Sequence, residues 1–154
     1  MAYWLLKSEP DTFGIEHLAA APKRTSAWDG VRNYQARNFL RDDVKRGDQA
    51  FLYHSSCAVP GIAGIVTVTR AGFADATQFD RKSQYFDAAS SVDAPRWYAI
   101  DVRLTRRLKR IITLDELRAE QQGKLRDMRL LQRGNRLSVM PISDAHWRFI
   151  LSLE

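Results

Sequence analysis

The spacing of apolar and polar positions along the chain predicts a mixture of strands and short helices. Short runs rich in aromatic and β-branched residues, bounded by Pro or Gly, favour strands. From Trp97 to Lys109 apolar and polar residues alternate, which predicts a strand with one buried face and one basic face. The predicted strands lie at 3–8, 49–54, 62–70, 97–109 and 137–140, the last one ending before Pro141.

Apolar residues spaced three and four apart predict helices between these strands. Asn33 and Ser143 are suited to cap two of them, and Thr113 with Glu116 forms a capping box for a third. The predicted helices lie at 15–20, at 33–40, after Thr113, at 125–132 with Gly134 as terminator, and after Ser143.

The order of these elements predicts an α+β fold. Runs of strands without regular strand–helix alternation favour a mixed or antiparallel sheet, curled into a small barrel and flanked by helices. The polar stretch 74–95 is predicted to be a long irregular loop anchored by Tyr85 and Phe86. No repeat or flexible linker divides the chain, so residues 1–154 are expected to form a single domain.

Composition excludes several classes of protein. Of the 154 residues 45% are hydrophobic and 27% are charged, which is typical of a globular domain. Cys57 is the one cysteine and the three histidines are far apart, so we expect neither a disulfide framework nor a metal site, and no cofactor. The N-terminus lacks the pattern of a signal peptide, so a cytoplasmic location is expected. No heptad or long apolar stripe is present, which favours a monomer.

Positive charge is concentrated in one part of the chain. Lys and Arg total 24 against 18 Asp and Glu. Residues 96–136 hold 12 of the basic and 5 of the acidic side chains, a net of +7, whereas the rest of the chain carries −1. Ten of those twelve are Arg, whose planar guanidinium matches phosphates and stacks on bases. The pattern favours a polyanion partner, with a solvated basic face as the alternative.

No group of residues forms a convincing catalytic site. His54 and Ser55 are adjacent in a predicted strand, where neighbours point to opposite faces, so the histidine is poorly placed to activate that hydroxyl. The pair Gly61 and Gly64 lacks the Lys-Ser/Thr of a phosphate-binding loop. Carboxylates are scattered rather than paired. The sequence therefore predicts a binding protein and not an enzyme.

Two polar and aromatic clusters remain as candidate binding sites. In the first, at 28–34, Trp28 is suited either to stack on a flat ligand or to anchor the core above an Asp-Gly turn. The second, at 133–138, is either a set of ligand contacts or a helix C-cap with solvated arginines. Basic side chains are expected to form one surface if helix 125–132 lies beside strand 97–109. These are Arg126, Arg129 and Arg133 on the helix, and Arg103, Arg107 and Lys109 on the strand.

These clusters resemble the motifs of the EVE domain family. The matching strings include Trp-Asp-Gly-Val-Arg-Asn at 28–33, Tyr-His-Ser-Ser at 53–56, Tyr-Phe-Asp at 85–87, Pro-Arg-Trp at 95–97 and Gly-Asn-Arg-Leu-Ser-Val-Met-Pro at 134–141. The resemblance implies a PUA-like fold related to the YTH and ASCH domains. It also implies that the domain binds DNA or RNA and recognises a modified base, such as modified cytosine.

The resemblance further implies a pocket for one base. Trp28 and Asn33 would lie at this pocket, His54 and Ser55 at its rim, and Asn135, Arg136, Leu137 and Ser138 on its opposite wall. We expect the base to stack on Trp28, with Trp97 as a second aromatic. The residues expected to hold the phosphates are Arg103, Arg107, Arg126, Arg129 and Arg133. Two alternatives stay open: an RNA-cleaving enzyme of the ASCH type using His54, Ser55 and Arg136, or a module that binds a small molecule or a protein.

Overall fold

In a computed structural model that describes Met1–Glu154, six strands form one mixed sheet. The strands are β1 (Tyr3–Ser8), β2 (Thr25–Trp28), β3 (Gln49–His54), β4 (Gly61–Ala74), β5 (Tyr98–Thr113) and β6 (Val139–Ile142). Their order across the sheet is β2-β5-β4-β3-β1-β6, and the β1–β3 pair is parallel while the others are antiparallel. The predicted α+β class is confirmed.

Five short helices pack around this sheet. They are α1 (Pro10–Phe13), α2 (Ile15–Ala20), α3 (Tyr34–Asn38), α4 (Leu114–Ala119) and α5 (Asp144–Ser152), and α3 continues into a π-helical turn at Phe39–Asp43. The predicted caps are confirmed: Asn33, Thr113 and Ser143 each accept a hydrogen bond from a first-turn amide. None of the helices has the length and hydrophobicity needed to cross a membrane.

The sheet is curled but open. Register irregularities at four points between β4 and β5 bend these two long strands. No hydrogen bonds pair β2 with β6, so the two edges do not close the predicted barrel. One cluster of 34 buried hydrophobic residues fills the interior. On one face Trp147 of α5 stacks on Phe51 of β3, with ring centroids 3.9 Å apart.

The predicted helix 125–132 is wrong. Consecutive turns occupy this segment, closed by bonds such as Met128 N–H to Leu125 O and Leu131 N–H to Met128 O, and Arg129–Leu131 forms one 3-10 turn. Asp127 has φ +67°, which a continuous α-helix cannot contain. Leu125, Met128 and Leu131 are all buried, and their spacing of three residues matches the period of such turns.

Three smaller predictions also need correction. Strand β6 includes Pro141 instead of ending before it. It pairs with β1 alone at the edge of the sheet, where a missing N–H is tolerated. Strand β2 was not predicted, because it has only four residues. In the loop 75–97 Tyr85 is half-buried as expected of an anchor, whereas Phe86 is exposed.

Candidate nucleic-acid interface

The turn that follows β2 requires glycine at position 30. Gly30 adopts φ +77°, and its N–H donates to Asp75 Oδ2 over 2.8 Å. A Cβ atom at this position would lie 2.7 Å from the Tyr85 ring. Glycine therefore allows the aromatic side chain to pack directly on the backbone between Trp28 and Arg32.

Arg32 connects this turn to the loop that carries Tyr85. Its Nη1 donates to Asp75 Oδ2 over 3.0 Å and its Nη2 to Tyr85 O over 2.7 Å, while the guanidinium lies 5.5 Å from the Tyr85 ring centroid. Asp75 is fully buried. Burial by itself would raise the pKa of Asp75, but hydrogen bonds from Thr77, Gly30 N–H and Arg32 outweigh it and lower that pKa. The carboxylate therefore holds both segments in place.

Between these segments lies a cleft of about 240 Å³, here called the aromatic cleft. Its lining residues are Thr12, Phe13, Ser26, Ala27, Trp28, Asp29, Gln84 and Tyr85. Trp28 is only 5% exposed and meets Phe13 edge-to-face, with ring centroids 6.1 Å apart. The cleft thus combines rigid aromatic walls with a few polar groups, as small-ligand sites do.

Asp29 is the charged group of the aromatic cleft. Its side chain is solvent-exposed and accepts no hydrogen bond from another residue. The protein around it reduces its hydration, and the negative charge of Asp75 adds repulsion, so the pKa of Asp29 is raised. A carboxylate in this position would gain from a ligand that donates a hydrogen bond.

A second, larger cavity of about 630 Å³ is here called the arginine basin. Its lining residues are Asn33, Gln35, Arg129, Gln132, Arg133, Gly134, Asn135, Arg136 and Leu137, of which Leu137 alone is apolar. None of the three arginines forms a salt bridge. The basin therefore offers uncompensated positive charge together with amide donors, a combination suited to phosphate.

The aromatic cleft and the arginine basin are close neighbours in the chain. Asp29 lines the first and Asn33 lines the second. Their Cα atoms are at most about 14 Å apart, because an extended chain spans no more than about 3.6 Å per residue. One short nucleic-acid strand is therefore long enough to contact both.

The basic face of β5 is different, because much of its charge is neutralised within the protein. Arg106 pairs with Glu154, Arg107 with Glu16 over 2.6 Å, and Arg110 with Glu116. Three strands separate β5 from β6, the strand that the arginine basin adjoins in sequence. The predicted single basic surface, joining Arg103, Arg107 and Lys109 to a helix bearing Arg126, Arg129 and Arg133, is therefore wrong.

The family model of the EVE domain matches residues 2–153 of this chain. The chain belongs to the EVE domain family. Human thymocyte nuclear protein 1 is 44% identical to it over 168 residues, which cover 99% of this chain and 74% of that protein.

Solved structures agree with this EVE assignment. A crystal structure of human THYN1 protein in complex with 5-methylcytosine-containing DNA matches with a TM-score of 0.95 and 43% identity, covering 99% of this chain and 97% of that one. A Pseudomonas putida protein matches with a TM-score of 0.92 and 49% identity, covering 99% of each chain.

This EVE domain brings together only part of the pocket predicted from its sequence. Asn33, Asn135, Arg136 and Leu137 do meet, in the arginine basin, but Trp28 lies in the aromatic cleft instead. Of the predicted phosphate ligands, Arg129 and Arg133 line the basin. Arg103 and Arg126 line neither cavity, and Arg107 is held by Glu16.

Four other predicted pocket residues of the EVE domain line neither cavity. Trp97 lies outside the aromatic cleft, where its Nε1 donates to Asp87 and its ring stacks on Tyr34. Ser55 Oγ donates to Ser8 O, and Ser138 O accepts from Lys7 N–H. His54 Nε2 accepts from Ile15 N–H over 3.1 Å, which makes His54 a structural residue.

Sequence reasoning missed several residues that shape the EVE aromatic cleft. Phe13 and Gln84 lie outside every sequence motif described above. Asp75 is buried, and more than forty residues of chain separate it from its partners Gly30 and Arg32. Arg32 and Tyr85 do lie in the matching strings of the family. That signal placed them near the site without showing that one clamps the other.

His54 makes the stability of the EVE domain depend on pH. Burial lowers the pKa of His54 below its ordinary value of 6.5, and the opposing effect of Glu16 is smaller. The unfolded chain therefore binds a proton more readily, so the free energy of unfolding falls as the pH drops below about 6.5 and levels off below the folded pKa. The free energy of unfolding, measured by urea titration at pH values from about 8 to about 5, tests this prediction.

The variant His54→Gln provides the control for that experiment, because its amide oxygen can still accept the Ile15 N–H bond but does not titrate. Subtracting its pH profile from that of the wild type isolates the contribution of His54. Identical profiles for the two proteins would contradict the prediction.

Proposed function

We propose that this EVE domain is a non-catalytic nucleic-acid reader that holds one modified base, 5-methylcytosine, in the aromatic cleft. The observation that carries the proposal is a preformed cleft with an aromatic wall at Trp28 and an unpaired carboxylate at Asp29, four residues before Asn33 of an arginine-lined basin. The binding of 5-methylcytosine-containing DNA by human THYN1, 43% identical, supports it.

The chemistry of the aromatic cleft suits a methylated cytosine. Phe13, Trp28 and Tyr85 provide the rings against which a base can pack, and stacking on an aromatic contributes about 1–3 kcal/mol per base. The same apolar walls can contact a 5-methyl group. Asp29 supplies an acceptor for the exocyclic amine of cytosine, the pairing that acidic side chains make with this base.

The arginine basin supplies the rest of the affinity. Arg129, Arg133 and Arg136 are free to contact the phosphates next to the captured base. Extruding a base from a duplex costs a few kcal/mol, an amount similar to what stacking returns. We therefore expect single-stranded or locally opened sites to bind more tightly than intact duplex, and all binding to weaken with salt.

Three single-stranded oligonucleotides test this proposal. They differ at one position, which is cytosine, 5-methylcytosine or thymine, and each is made as DNA and as RNA. Thymine keeps the ring and methyl group but replaces the amine by a carbonyl. We expect the wild type to prefer 5-methylcytosine over both others. Asp29→Asn should lower the preference over thymine on the order of tenfold, because its amide can donate to that carbonyl.

Asp43→Asn serves as the matched control, since Asp43 is exposed and lines neither the cleft nor the basin. It should bind like the wild type. Equal affinity of the wild type for all three bases would overturn the reader proposal. Strand cleavage that disappears in His54→Ala would favour the nuclease alternative instead.

A further inference from the structure

Tyr34, the first residue of α3, is an aromatic side chain beside the site that has no role in the aromatic cleft. It is 51% exposed, and its ring stacks on Trp97 with centroids 4.8 Å apart and planes 22° apart. Trp97 is itself fixed, because it is almost buried and its Nε1 donates to Asp87 Oδ2 over 2.7 Å. The Tyr34 ring is therefore held on a rigid support.

Two guanidinium groups extend this arrangement. Arg37 lies 4.9 Å from the Tyr34 ring centroid, and Arg32 lies 5.2 Å from that of Trp97. Arg37 is fixed in turn by donating to Arg96 O over 2.6 Å and to Asn38 Oδ1 over 2.8 Å. These four side chains, Arg32, Trp97, Tyr34 and Arg37, are here called the Tyr34 stack.

The Tyr34 stack is adjacent to the arginine basin along the chain. Asn33 and Gln35, the two chain neighbours of Tyr34, both line that basin. The Tyr34 stack is therefore within reach of a strand whose phosphates contact Arg133 and Arg136. Aromatic rings and arginine guanidinium planes are the surfaces on which proteins stack unpaired bases.

We propose that Tyr34 and Arg37 form a second base-stacking site, which binds an unmodified base of the same strand that carries the modified base. This inference rests on the proposed function, because the aromatic cleft and the arginine basin fix the path of the strand. The site is sequence-tolerant, since every base presents a π-face. Because Tyr34 and Arg37 are already held in place before binding, little side-chain freedom is lost when a base binds.

An abasic scan of a single strand tests the proposal on the unaltered protein. A strand with one central 5-methylcytosine is compared with versions lacking the base at each of the three positions on either side. We expect removal of the base at one of these positions to weaken binding on the order of tenfold. The same abasic strand should bind Tyr34→Ala no more weakly than the intact strand does.

Tyr34→Phe and Tyr34→Leu separate stacking from other contributions of the side chain. The Phe variant keeps the ring and should respond to the abasic scan as the wild type does. The Leu variant keeps an apolar side chain without a π-face and should behave like Tyr34→Ala. Because Tyr34 is half exposed, these variants are expected to fold, which melting temperatures check.

The outcomes distinguish this inference from the proposed function. If the wild type still prefers 5-methylcytosine but its affinity is the same whichever neighbouring base is removed, the second stacking site alone is overturned. A scan response that persists in Tyr34→Ala also overturns it, since another residue would then hold the base. A wild type without preference for the modified base overturns the proposed function and this inference together.

Discussion

Replacing Asp75 by Ala is expected to lower the free energy of unfolding by about 3 kcal/mol, the cost of breaking a buried ion pair from one side. Asp75 is fully buried, while the side chain of its partner Arg32 is 23% exposed. The substitution leaves the Gly30 N–H and the Thr77 N–H without their acceptor and removes the only carboxylate that pairs with the Arg32 guanidinium. The melting temperature should fall by about 6–12 °C, at about 2–4 °C per kcal/mol for a domain of this size.

The Asp75→Ala variant should also lose binding while it is still folded. Without the carboxylate, nothing connects the Gly30 turn to the Tyr85 loop except Arg32 and packing, so the two walls of the aromatic cleft can separate. Calorimetric unfolding gives the stability, and titration with a 5-methylcytosine strand well below the melting temperature gives the binding. Asp93→Ala, at an exposed aspartate without a side-chain hydrogen bond, is the control.

The pH dependence of this pair has a defined sign. The pKa of Asp75 is lowered in the folded protein from its ordinary value of 3.8. Its contribution to stability is therefore fully present above about pH 4 and is lost as the pH falls through the folded pKa. Asp75→Asn should lack this acid-dependent component, and a variant profile parallel to that of the wild type would contradict the role of the carboxylate.

Replacing Arg129, Arg133 and Arg136 together by Gln is expected to weaken binding to every strand and to reduce its salt dependence. Each phosphate contact on a single strand contributes about 0.7 to the slope of log K against log salt concentration. Three lost contacts therefore reduce the slope by about 2. The ratio of affinities for 5-methylcytosine and cytosine should stay the same, because phosphate contacts carry no sequence information.

A charge-matched variant tests whether the position of the arginines matters. The charge-matched variant replaces three arginines of β5 by Gln: Arg106, Arg107 and Arg110. It removes the same charge, but from side chains that are each paired with a glutamate. Its salt slope should remain near that of the wild type. Equal slopes for the two triple variants would show that net charge, and not the arginine basin, governs binding.

Much of the local structure of this domain is predictable from neighbouring residues. Alternation from 97 to 109 identified β5, and the caps at Asn33, Thr113 and Ser143 marked the starts of three helices. Such signals depend on contacts within a few residues, so the sequence contains them directly. The error at 125–132 has the same origin, since apolar residues three apart fit both a helix and a series of turns.

The site depends on contacts that no local pattern specifies. Sequence strings placed Trp28, Asn33, Asn135 and Arg136 near one another as a single pocket, whereas folding divides them between the aromatic cleft and the arginine basin. Charge counting located the arginines but did not show that glutamates from distant segments neutralise those of β5.

The sequence by itself therefore determined the family, the α+β class, most of the strands and helix starts, and the positive charge that implies a polyanion. Only the tertiary structure decided which arginines are free and how the cleft is built. The reason is that Asp75, Arg32 and Tyr85 interact across 43 to 53 residues of chain. Such pairings are selected by the packing of the whole sheet and not by the residues on either side of each partner.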